Sequence, residues 1–300
     1  MPASAPAPFN GLFAAVPTPV HHDGRVNLAA FERAVDVVLT AGVDGVCVGG
    51  ATGEYPHFET ADRLAIIARA AGQVPSGGLL VAVGAPSLRL VRELGDAAVR
   101  AGARALLLPM PMFFRYAQDD LRAYCAEASR ALAAPCLLYD LPEFTNALAA
   151  PTALSLLAEE PFVVGIKDSS GRPENLALFT APEQRRAWTL LVGDDRLLHR
   201  GLLAGWNGGI SGIAAMWPEL LVRLRRSFRE HRHDETARLQ GLVDEIAARL
   251  ARLPVPWGIR AGLAARGIDP GPMPLPVSCD RQRELREFQA WFVDWLGRGL

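Results

Sequence analysis

Short apolar runs alternate with longer amphipathic stretches over most of this chain. Runs of this length with few charges are typical of strands that are buried on both faces. Eight of them are found, at Leu12–Pro17, Gly45–Val48, Leu79–Val83, Ala105–Leu108, Cys136–Tyr139, Val163–Lys167, Leu190–Gly193 and Gly208–Ser211. The pattern therefore predicts eight short strands.

The stretches between these runs have the period of amphipathic helices. They are Asn27–Ala41, Thr60–Ala71, Ser87–Ala101, Gln118–Ala131, Pro151–Ala158, Pro173–Thr180, Leu197–Ala204 and Pro218–Ser227. Asn27, Thr60, Ser87 and Asp195 stand where helix N-caps are expected. Strands and helices in alternation indicate βαβ units with a parallel sheet, and eight units predict a (β/α)8 TIM barrel. A doubly wound sheet is less consistent, since no G-x-G-x-x-G follows a strand.

The alternation stops after Ser227, and the rest of the chain has a different pattern. Residues 228–300 contain three helical stretches, His231–Arg252, Trp257–Arg266 and Arg281–Trp295, separated by prolines. Residues 1–10 are rich in Ala and Pro and lack the basic and apolar regions of a signal peptide. We therefore predict a disordered lead-in over 1–10, a barrel over 11–227 and a C-terminal helical extension over 228–300.

Lys167 is the only lysine of the chain, since 30 of the 31 basic residues are Arg. It ends the sixth predicted strand, in the sequence Gly165-Ile166-Lys167-Asp168. Arg keeps its proton at any useful pH, whereas a lysine amine can lose it and then attack a carbonyl to form a Schiff base. An unpaired ammonium at the end of a buried strand would be costly. We interpret Lys167 as a functional amine; the alternative is a chance surface lysine.

Other candidate residues fall at the ends of predicted strands. Tyr139 ends the fifth strand, Gly49–Glu54 follows the second, Pro17–Pro19 follows the first, and Ile210 lies in the eighth. In a TIM barrel, active sites occupy the face where the strands end. A tyrosine at a strand end usually packs in the core, and a Gly-rich segment is usually a turn. Their convergence on the face that carries Lys167 predicts one site.

Three motifs resemble those of the dihydrodipicolinate synthase and N-acetylneuraminate lyase superfamily of Schiff-base aldolases. They are G-x-T-G-E at Gly50–Glu54, Y-x-x-P at Tyr139–Pro142 and G-I-K-[DE] at Gly165–Asp168. The order and spacing agree from Gly11 to about Leu275. The resemblance implies a TIM barrel with a helical C-terminal extension, a 2-oxo acid substrate, a homotetramer, and neither metal nor cofactor.

The resemblance also implies roles for individual residues. Lys167 would form the Schiff base with the ketone of a 2-oxo acid, and Tyr139 would move protons near that carbon. Thr52 and the neighbouring main chain of Ala51 and Gly53 would hold the substrate carboxylate. The Ile210 main chain would lie beside the bound keto acid. Donors of this kind complement a carboxylate without a second lysine.

The chain departs from the synthases at three positions. Ala51 replaces a hydroxyl residue of the G-[ST]-T-G-E motif, and Phe113 replaces the tyrosine that reaches a neighbouring subunit. Two of the three hydroxyls of the synthases' proton relay are therefore missing. Phe144 stands where the synthases have an arginine for the aldehyde's carboxylate. Arg115 or Tyr116 could supply a replacement contact, or could be solvated loop residues.

These departures favour a Schiff-base lyase that cleaves a 2-keto-3-deoxy sugar acid, or a similar 4-hydroxy-2-oxo acid, to pyruvate and an aldehyde. A dehydratase of a 2-keto-3-deoxy acid would use the same imine, and the sequence does not separate the two. A further alternative is 4-hydroxy-tetrahydrodipicolinate (dihydrodipicolinate) synthase itself. The last is a non-catalytic protein that binds a keto acid, since fold alone never establishes activity.

Charge and composition exclude several other classes of function. The formal net charge is −1 and the chain is 50% hydrophobic, which does not suggest a nucleic-acid or membrane partner. No apolar stretch is long enough for a transmembrane helix. Four scattered cysteines without a C-x-x-C pair favour buried, reduced thiols and a cytoplasmic location. The six histidines lack metal-ligand spacing, so no metal site is expected.

Overall fold

Eight parallel strands close into a barrel in the computed structural model, which describes residues 8–181 and 188–297. The strands follow one another in chain order, and the first pairs with the last. They are β1 (Gly11–Ala15), β2 (Gly45–Val48), β3 (Leu79–Ala82), β4 (Ala105–Pro109), β5 (Cys136–Asp140), β6 (Val163–Asp168), β7 (Thr189–Val192) and β8 (Gly208–Ser211). The predicted (β/α)8 barrel is confirmed.

Helices cover the outside of the barrel. They are α1 (Leu28–Thr40), α2 (Thr60–Gln73), α3 (Leu88–Arg100), α4 (Gln118–Leu132), α5 (Ala150–Glu159), α6 (Glu174–Leu178), α7 (Leu198–Leu203), α8 (Ile213–Met216) and α9 (Pro218–Arg229). Asn27 and Ser87 are N-caps as predicted, each accepting a backbone N–H bond with its side chain. The prediction for Thr60 is wrong, because Thr60 is the first residue of α2 and Glu59 precedes it.

Apolar side chains pack on both faces of the barrel sheet, because alternate residues of a strand point to opposite faces. The inner face carries a cluster that includes Phe13, Leu80 and Leu107. The outer face and the helices share a second cluster. Tyr139 and Ile210 belong to the inner cluster. The side chains of both residues therefore point into the barrel.

A helical extension follows the barrel, as predicted. It consists of α10 (His233–Leu250), α11 (Trp257–Ala265) and α12 (Cys279–Gly297). In the extension, α10 packs against α9 and α12 packs against α11. The ring of Trp217 contacts Phe292 and Trp295 edge-on, with centroids 6.3 and 4.8 Å apart. Aromatic packing of this kind fixes the last helix to the barrel.

Phe9, in the predicted N-terminal lead-in, packs against the barrel. Residues 1–7 of the predicted lead-in lie outside the described residues, whereas Phe9 is buried with its ring 5.8 Å from that of Phe13. Three of the four cysteines are buried, but Cys279 at the start of α12 is exposed, so the expectation of a buried thiol is wrong there. No helix of the described part of the chain could cross a membrane.

Candidate active site

Lys167 and Tyr139 face each other where β6 and β5 end. The parallel register pairs the two residues directly, so both side chains point into the barrel. The Nζ atom of Lys167 lies 4.2 Å from the centroid of the Tyr139 ring. The two residues are buried, with 5% and 2% of their surface exposed. Within residues 8–181 and 188–297, Lys167 takes part in no ion pair.

A cavity of about 450 Å³ opens above these two side chains, at the face where the strands end. This volume suits a small organic substrate. Six of the eight predicted site residues line it, namely Lys167, Tyr139, Ala51, Thr52, Ile210 and Phe144. They come from β2, β5, β6, β8 and the loops that follow. Residues up to 159 positions apart are thus brought to one space.

Gly53 and Phe113, the other two predicted residues, do not line this cavity. The Gly53 carbonyl accepts a hydrogen bond from the Thr18 hydroxyl at 2.9 Å, which holds the turn after β2 against the segment after β1. Phe113 is 91% exposed and has a φ of 74°. Its ring packs edge-on against Phe114, with centroids 5.0 Å apart. The Phe113 side chain is therefore exposed on the surface and does not contribute to the cavity of the same chain.

Gly193 provides the space that the Lys167 side chain occupies. A Cβ atom at Gly193 would lie 2.0 Å from the Ser169 Oγ and 3.0 Å from the Lys167 Cε. The Gly193 N–H donates to the Asp168 carbonyl at 2.7 Å, so the backbone is held in place as well. A side chain at this position would therefore force the Ser169 hydroxyl to move and would press on the end of the Lys167 side chain.

Asp195 forms another part of the cavity wall and is not the N-cap that its position suggests. Asp194 caps the 3₁₀ turn at Asp195–Leu197, because its side chain accepts from the Arg196 N–H. The Asp195 carboxylate instead accepts from the Ile213 N–H at 3.3 Å and from the Ser211 hydroxyl. Burial raises the pKa of Asp195 to about 6, while the Ser211 hydrogen bond, the Ile213 hydrogen bond and the Lys167 charge oppose this.

The outer rim of the cavity is rich in carboxylates. Arg196 forms a two-point ion pair with Asp194, at 2.9 Å from Nε to Oδ1 and 2.6 Å from Nη2 to Oδ2. The side chains of Asp194, Asp244 and Glu143 all raise the pKa of Arg196. Arg196, the cation among the described residues that form this rim, is therefore already neutralised, and these residues leave little positive charge for an anionic substrate.

Phe144 lies at the rim of the cavity. It lines the cavity and is 45% exposed. Neither Arg115 nor Tyr116 lines the cavity. The backbone N–H of Tyr116 donates to Asn146 in the loop after β5. The structure therefore places no replacement cation from the Arg115 segment at the cavity.

Three comparisons with known proteins agree with this geometry. The family model "Dihydrodipicolinate synthetase family" matches residues 8–291. The chain belongs to this family. Its members are lyases that act through a Schiff base with pyruvate, so the protein is a Schiff-base carbon–carbon lyase.

Relatives within the dihydrodipicolinate synthetase family differ in substrate. The chain is 31% identical to an Escherichia coli protein described as "Probable 2-dehydro-3-deoxy-D-pentonate aldolase YjhH", over 74% of this chain and 75% of that one. It is 30% identical to the 4-hydroxy-tetrahydrodipicolinate synthase of Nitrosococcus oceani, over 92% and 96%. The solved structure of YagE, an Escherichia coli prophage protein, has the same fold, with a TM-score of 0.85, 24% identity, and 95% and 98% coverage.

Sequence reasoning missed several residues that line the cavity of this family member. Gly193, Asp194 and Asp195 follow β7 directly, and this position in a TIM barrel was a signal that could have found them. The extension also supplies cavity residues, among them Leu250 at the end of α10 and Ile259 in α11. No sequence signal linked these helices to the cavity. No group of three or more potential metal ligands occurs in the described residues.

Proposed function

We propose that this protein is a class I aldolase that cleaves a 2-keto-3-deoxy sugar acid, or a similar 4-hydroxy-2-oxo acid, to pyruvate and an aldehyde. One observation carries the proposal: the amine of the only lysine is buried, free of ion pairs among the described residues, and faces a tyrosine at the cavity floor. The neutral Lys167 amine attacks the C2 ketone of the substrate. The hydroxyl of the resulting carbinolamine takes up a proton from solvent and leaves as water, so that a protonated imine remains.

The imine makes cleavage of the carbon–carbon bond possible. The electron pair of the C3–C4 bond moves into the imine and forms an enamine, while the C4 hydroxyl loses its proton and becomes the aldehyde carbonyl. We assign Tyr139 as the relay for this proton: its hydroxyl takes up the proton of the C4 hydroxyl as it gives its own proton to C3 of the enamine. Water then hydrolyses the imine, which releases pyruvate and restores Lys167.

The turn after β2 is proposed to hold the substrate carboxylate. Thr52 lines the cavity, and the backbone N–H groups of Ala51–Gly53 belong to the same turn. Because Ala51 has no hydroxyl, the main chain and Thr52 supply the donors. We place the main chain of Ile210, in β8, beside the bound keto acid.

The rim favours an uncharged, hydroxylated outer portion of the substrate. Ser169, Ser170 and Asp195 also line the cavity and can exchange hydrogen bonds with hydroxyl groups. The Arg196 charge is taken up by Asp194, and Phe144 offers no charge. A sugar acid with a neutral outer end therefore fits this rim better than aspartate semialdehyde, which carries a carboxylate.

Covalent trapping tests the chemistry of the first step. The protein is incubated with pyruvate and sodium cyanoborohydride, and its intact mass is measured. We expect one reduced adduct on the wild type and none on Lys167→Ala. Because the only other amine is the N-terminus, an adduct that persists in Lys167→Ala would contradict the assignment. If the wild type forms no adduct, the result would favour the alternative of a non-catalytic protein that binds a keto acid.

A substrate panel tests the second step. We expect pyruvate release from 2-keto-3-deoxy pentonate or hexonate, whose outer ends carry no charge. A semialdehyde product without pyruvate would identify the dehydratase alternative. Condensation of pyruvate with aspartate semialdehyde at a comparable rate would identify the synthase alternative and overturn the interpretation of Phe144.

We further propose that the protein assembles into a homotetramer in the cytoplasm. The exposed pair of Phe113 and Phe114, 91% and 64% exposed, supports an interface at this face of the barrel. Sedimentation velocity at micromolar concentration tests it. We expect a tetramer for the wild type and a smaller species for Phe113→Asp, and a monomeric wild type would refute the assembly.

A further inference from the structure

A buried ion pair joins the C-terminal extension to the turn after β2. The Nη1 atom of Arg260, in α11, donates to the Oε2 atom of Glu54 at 2.8 Å. The two side chains are 0% and 3% exposed, and no other ion pair of the described residues is buried on both sides in this way. Glu54 comes two residues after Thr52, which lines the cavity.

Arg260 also ties together the backbone around this turn. Its Nη1 atom donates to the carbonyl of Thr18, in the segment after β1, at 3.1 Å. Its Nη2 atom donates to the carbonyls of Pro270 and Pro272, both at 2.7 Å. One guanidinium thus binds the segments after β1, β2 and α11 at once.

Glu54 is held in a conformation that few residues other than glycine adopt. Its φ is 54°, in the left-handed region, and its N–H donates to the Ala51 carbonyl at 2.9 Å. The Thr18 hydroxyl donates to the Gly53 carbonyl at 2.9 Å. The Arg260 guanidinium therefore binds the backbone carbonyl of Thr18 and the side-chain carboxylate of Glu54. It contacts the turn after β2 directly through Glu54 and indirectly through Thr18.

Stability is a poor explanation for this ion pair. A buried pair is often no more stabilising than well-packed apolar residues of the same volume. The hydrogen bonding of this pair is also incomplete, because Glu54 Oε1 and Arg260 Nε have no hydrogen-bond partner among the described residues. Burying these two charges costs free energy. Their position beside the turn that carries Thr52 is better explained by a role in fixing the conformation of that turn.

We propose that Arg260 is a positioning residue for substrate binding. It acts through Glu54 and Thr18 to hold the Ala51–Gly53 donors in the geometry that receives the substrate carboxylate. This inference rests on the proposed function, which places a 2-oxo acid in the cavity with its carboxylate at Thr52. The extension thereby takes part in substrate binding and not only in covering the barrel.

Two ligands that differ only in their carboxylate separate positioning from a general structural defect. Half-saturating concentrations for adduct formation on Lys167 are measured with pyruvate and with methyl pyruvate, in which an ester replaces the carboxylate. For Arg260→Gln we expect the half-saturating concentration of pyruvate to rise about tenfold or more, since misplaced donors lose much of their effect. The half-saturating concentration of methyl pyruvate should change less than about twofold, because its ester carries no charge for those donors to bind.

A matched control comes from the same part of the chain. Arg266, directly after α11, forms a two-point ion pair with Glu219 at 2.7 Å, and neither residue lines the cavity. Arg266→Gln should leave both half-saturating concentrations unchanged. The Tm of each variant is recorded. Glu54→Gln, which breaks the same ion pair without adding an amine, replaces Arg260→Gln where the latter does not fold, and the same selective weakening of pyruvate is expected.

The outcomes separate the two proposals. Equal weakening of both ligands, or no weakening of pyruvate, overturns the role of Arg260 while adduct formation on the wild type still supports the Schiff-base function. Absence of any adduct on the wild type overturns the proposed function, and the inference about Arg260 falls with it. Selective weakening of pyruvate supports both.

Discussion

The floor and the rim of the cavity are built in different ways. The floor consists of strand residues, with Lys167 and Tyr139 paired across β5 and β6 and both at most 5% exposed. The rim consists of loop residues, and Phe144 and the Arg196 side chain are 45% and 59% exposed. Strands hold side chains more rigidly than loops do. The comparison indicates that the floor determines the reaction and the rim selects the substrate.

The two regions also differ in how tightly they are packed. At the floor, a single extra carbon at Gly193 would meet Ser169 and Lys167. At the rim, Arg196 and Asp194 satisfy each other beside solvent. Substitutions at the floor should therefore reduce turnover on every substrate, whereas substitutions at the rim should change the preference among substrates.

Loss of the Tyr139 hydroxyl should have the largest effect. For Tyr139→Phe we expect kcat to fall on the order of 10³-fold, because the proposed proton acceptor is removed. The trapped pyruvate adduct should still form, since Lys167 is intact. Steady-state kinetics and intact mass check the two parts. A variant with wild-type kcat would show that another group moves the protons.

Filling the space at Gly193 should have the next largest effect. We expect Gly193→Ala to lower kcat by roughly 10–100-fold on all substrates, because the Lys167 side chain is displaced. Gly241→Ala is the control, since no atom lies within 4 Å of a Cβ there and the residue is inside α10. It should keep full activity and gain about 0.5–1 kcal/mol of stability. Equal activity in both alanine variants would refute the close-packed floor.

Asp140, directly behind the floor, should make stability depend on pH. It is 2% exposed, and burial raises its pKa from 3.8 to about 6, with the charge of Asp168 adding to the shift. The folded state thus binds this proton more tightly than the unfolded state. The stability it confers is complete below about pH 4 and is lost as pH rises from about 4 to 6.

The variant Asp140→Asn should remove that dependence, because the amide does not ionise. Its Oδ1 can still accept the Leu148 N–H, as the carboxylate does at 2.9 Å. Relative to the wild type, its free energy of unfolding should rise by up to about 3 kcal/mol between pH 4 and pH 7. Urea unfolding at several pH values measures this difference. Parallel pH profiles of the two proteins would contradict the prediction.

The smallest effect is expected at the rim. Asp194→Asn weakens the neutralisation of Arg196 and leaves the floor untouched. Relative kcat/KM for a keto acid with an anionic outer end should increase by about 3–10-fold over a neutral one. Turnover of the neutral acid serves as the internal control. A uniform loss on both acids would mean that Asp194 belongs to the floor and not to the rim.

Much of the fold could be predicted because its signals are local. A strand or helix leaves its period within about ten residues, and a βαβ order implies a parallel sheet. The eight strands, the position of Lys167 at the end of β6 and Tyr139 at the end of β5 follow from these patterns. Position in a barrel strand then places both residues on one face.

The rest depends on contacts between distant residues. Asp195 was assigned as a helix cap from its local context, yet its carboxylate binds the Ile213 N–H, 18 residues away. Phe113 was assigned to a substrate site by resemblance to a tyrosine that reaches a neighbouring subunit, and only the structure shows that its side chain is 91% exposed. The Arg260–Glu54 ion pair joins residues that are 206 positions apart, and neither the residue types nor their spacing predicts this contact.

The sequence by itself determined the barrel order and the one amine that can form a Schiff base, because periodicity and composition are properties of the chain. Only the tertiary structure decided which wall faces that amine, how the rim charges cancel, and that α11 braces the turn carrying Thr52. The physical reason is that burial, hydrogen bonding and charge pairing depend on distances in space. Those distances exist only after the barrel has closed and the extension has packed on it.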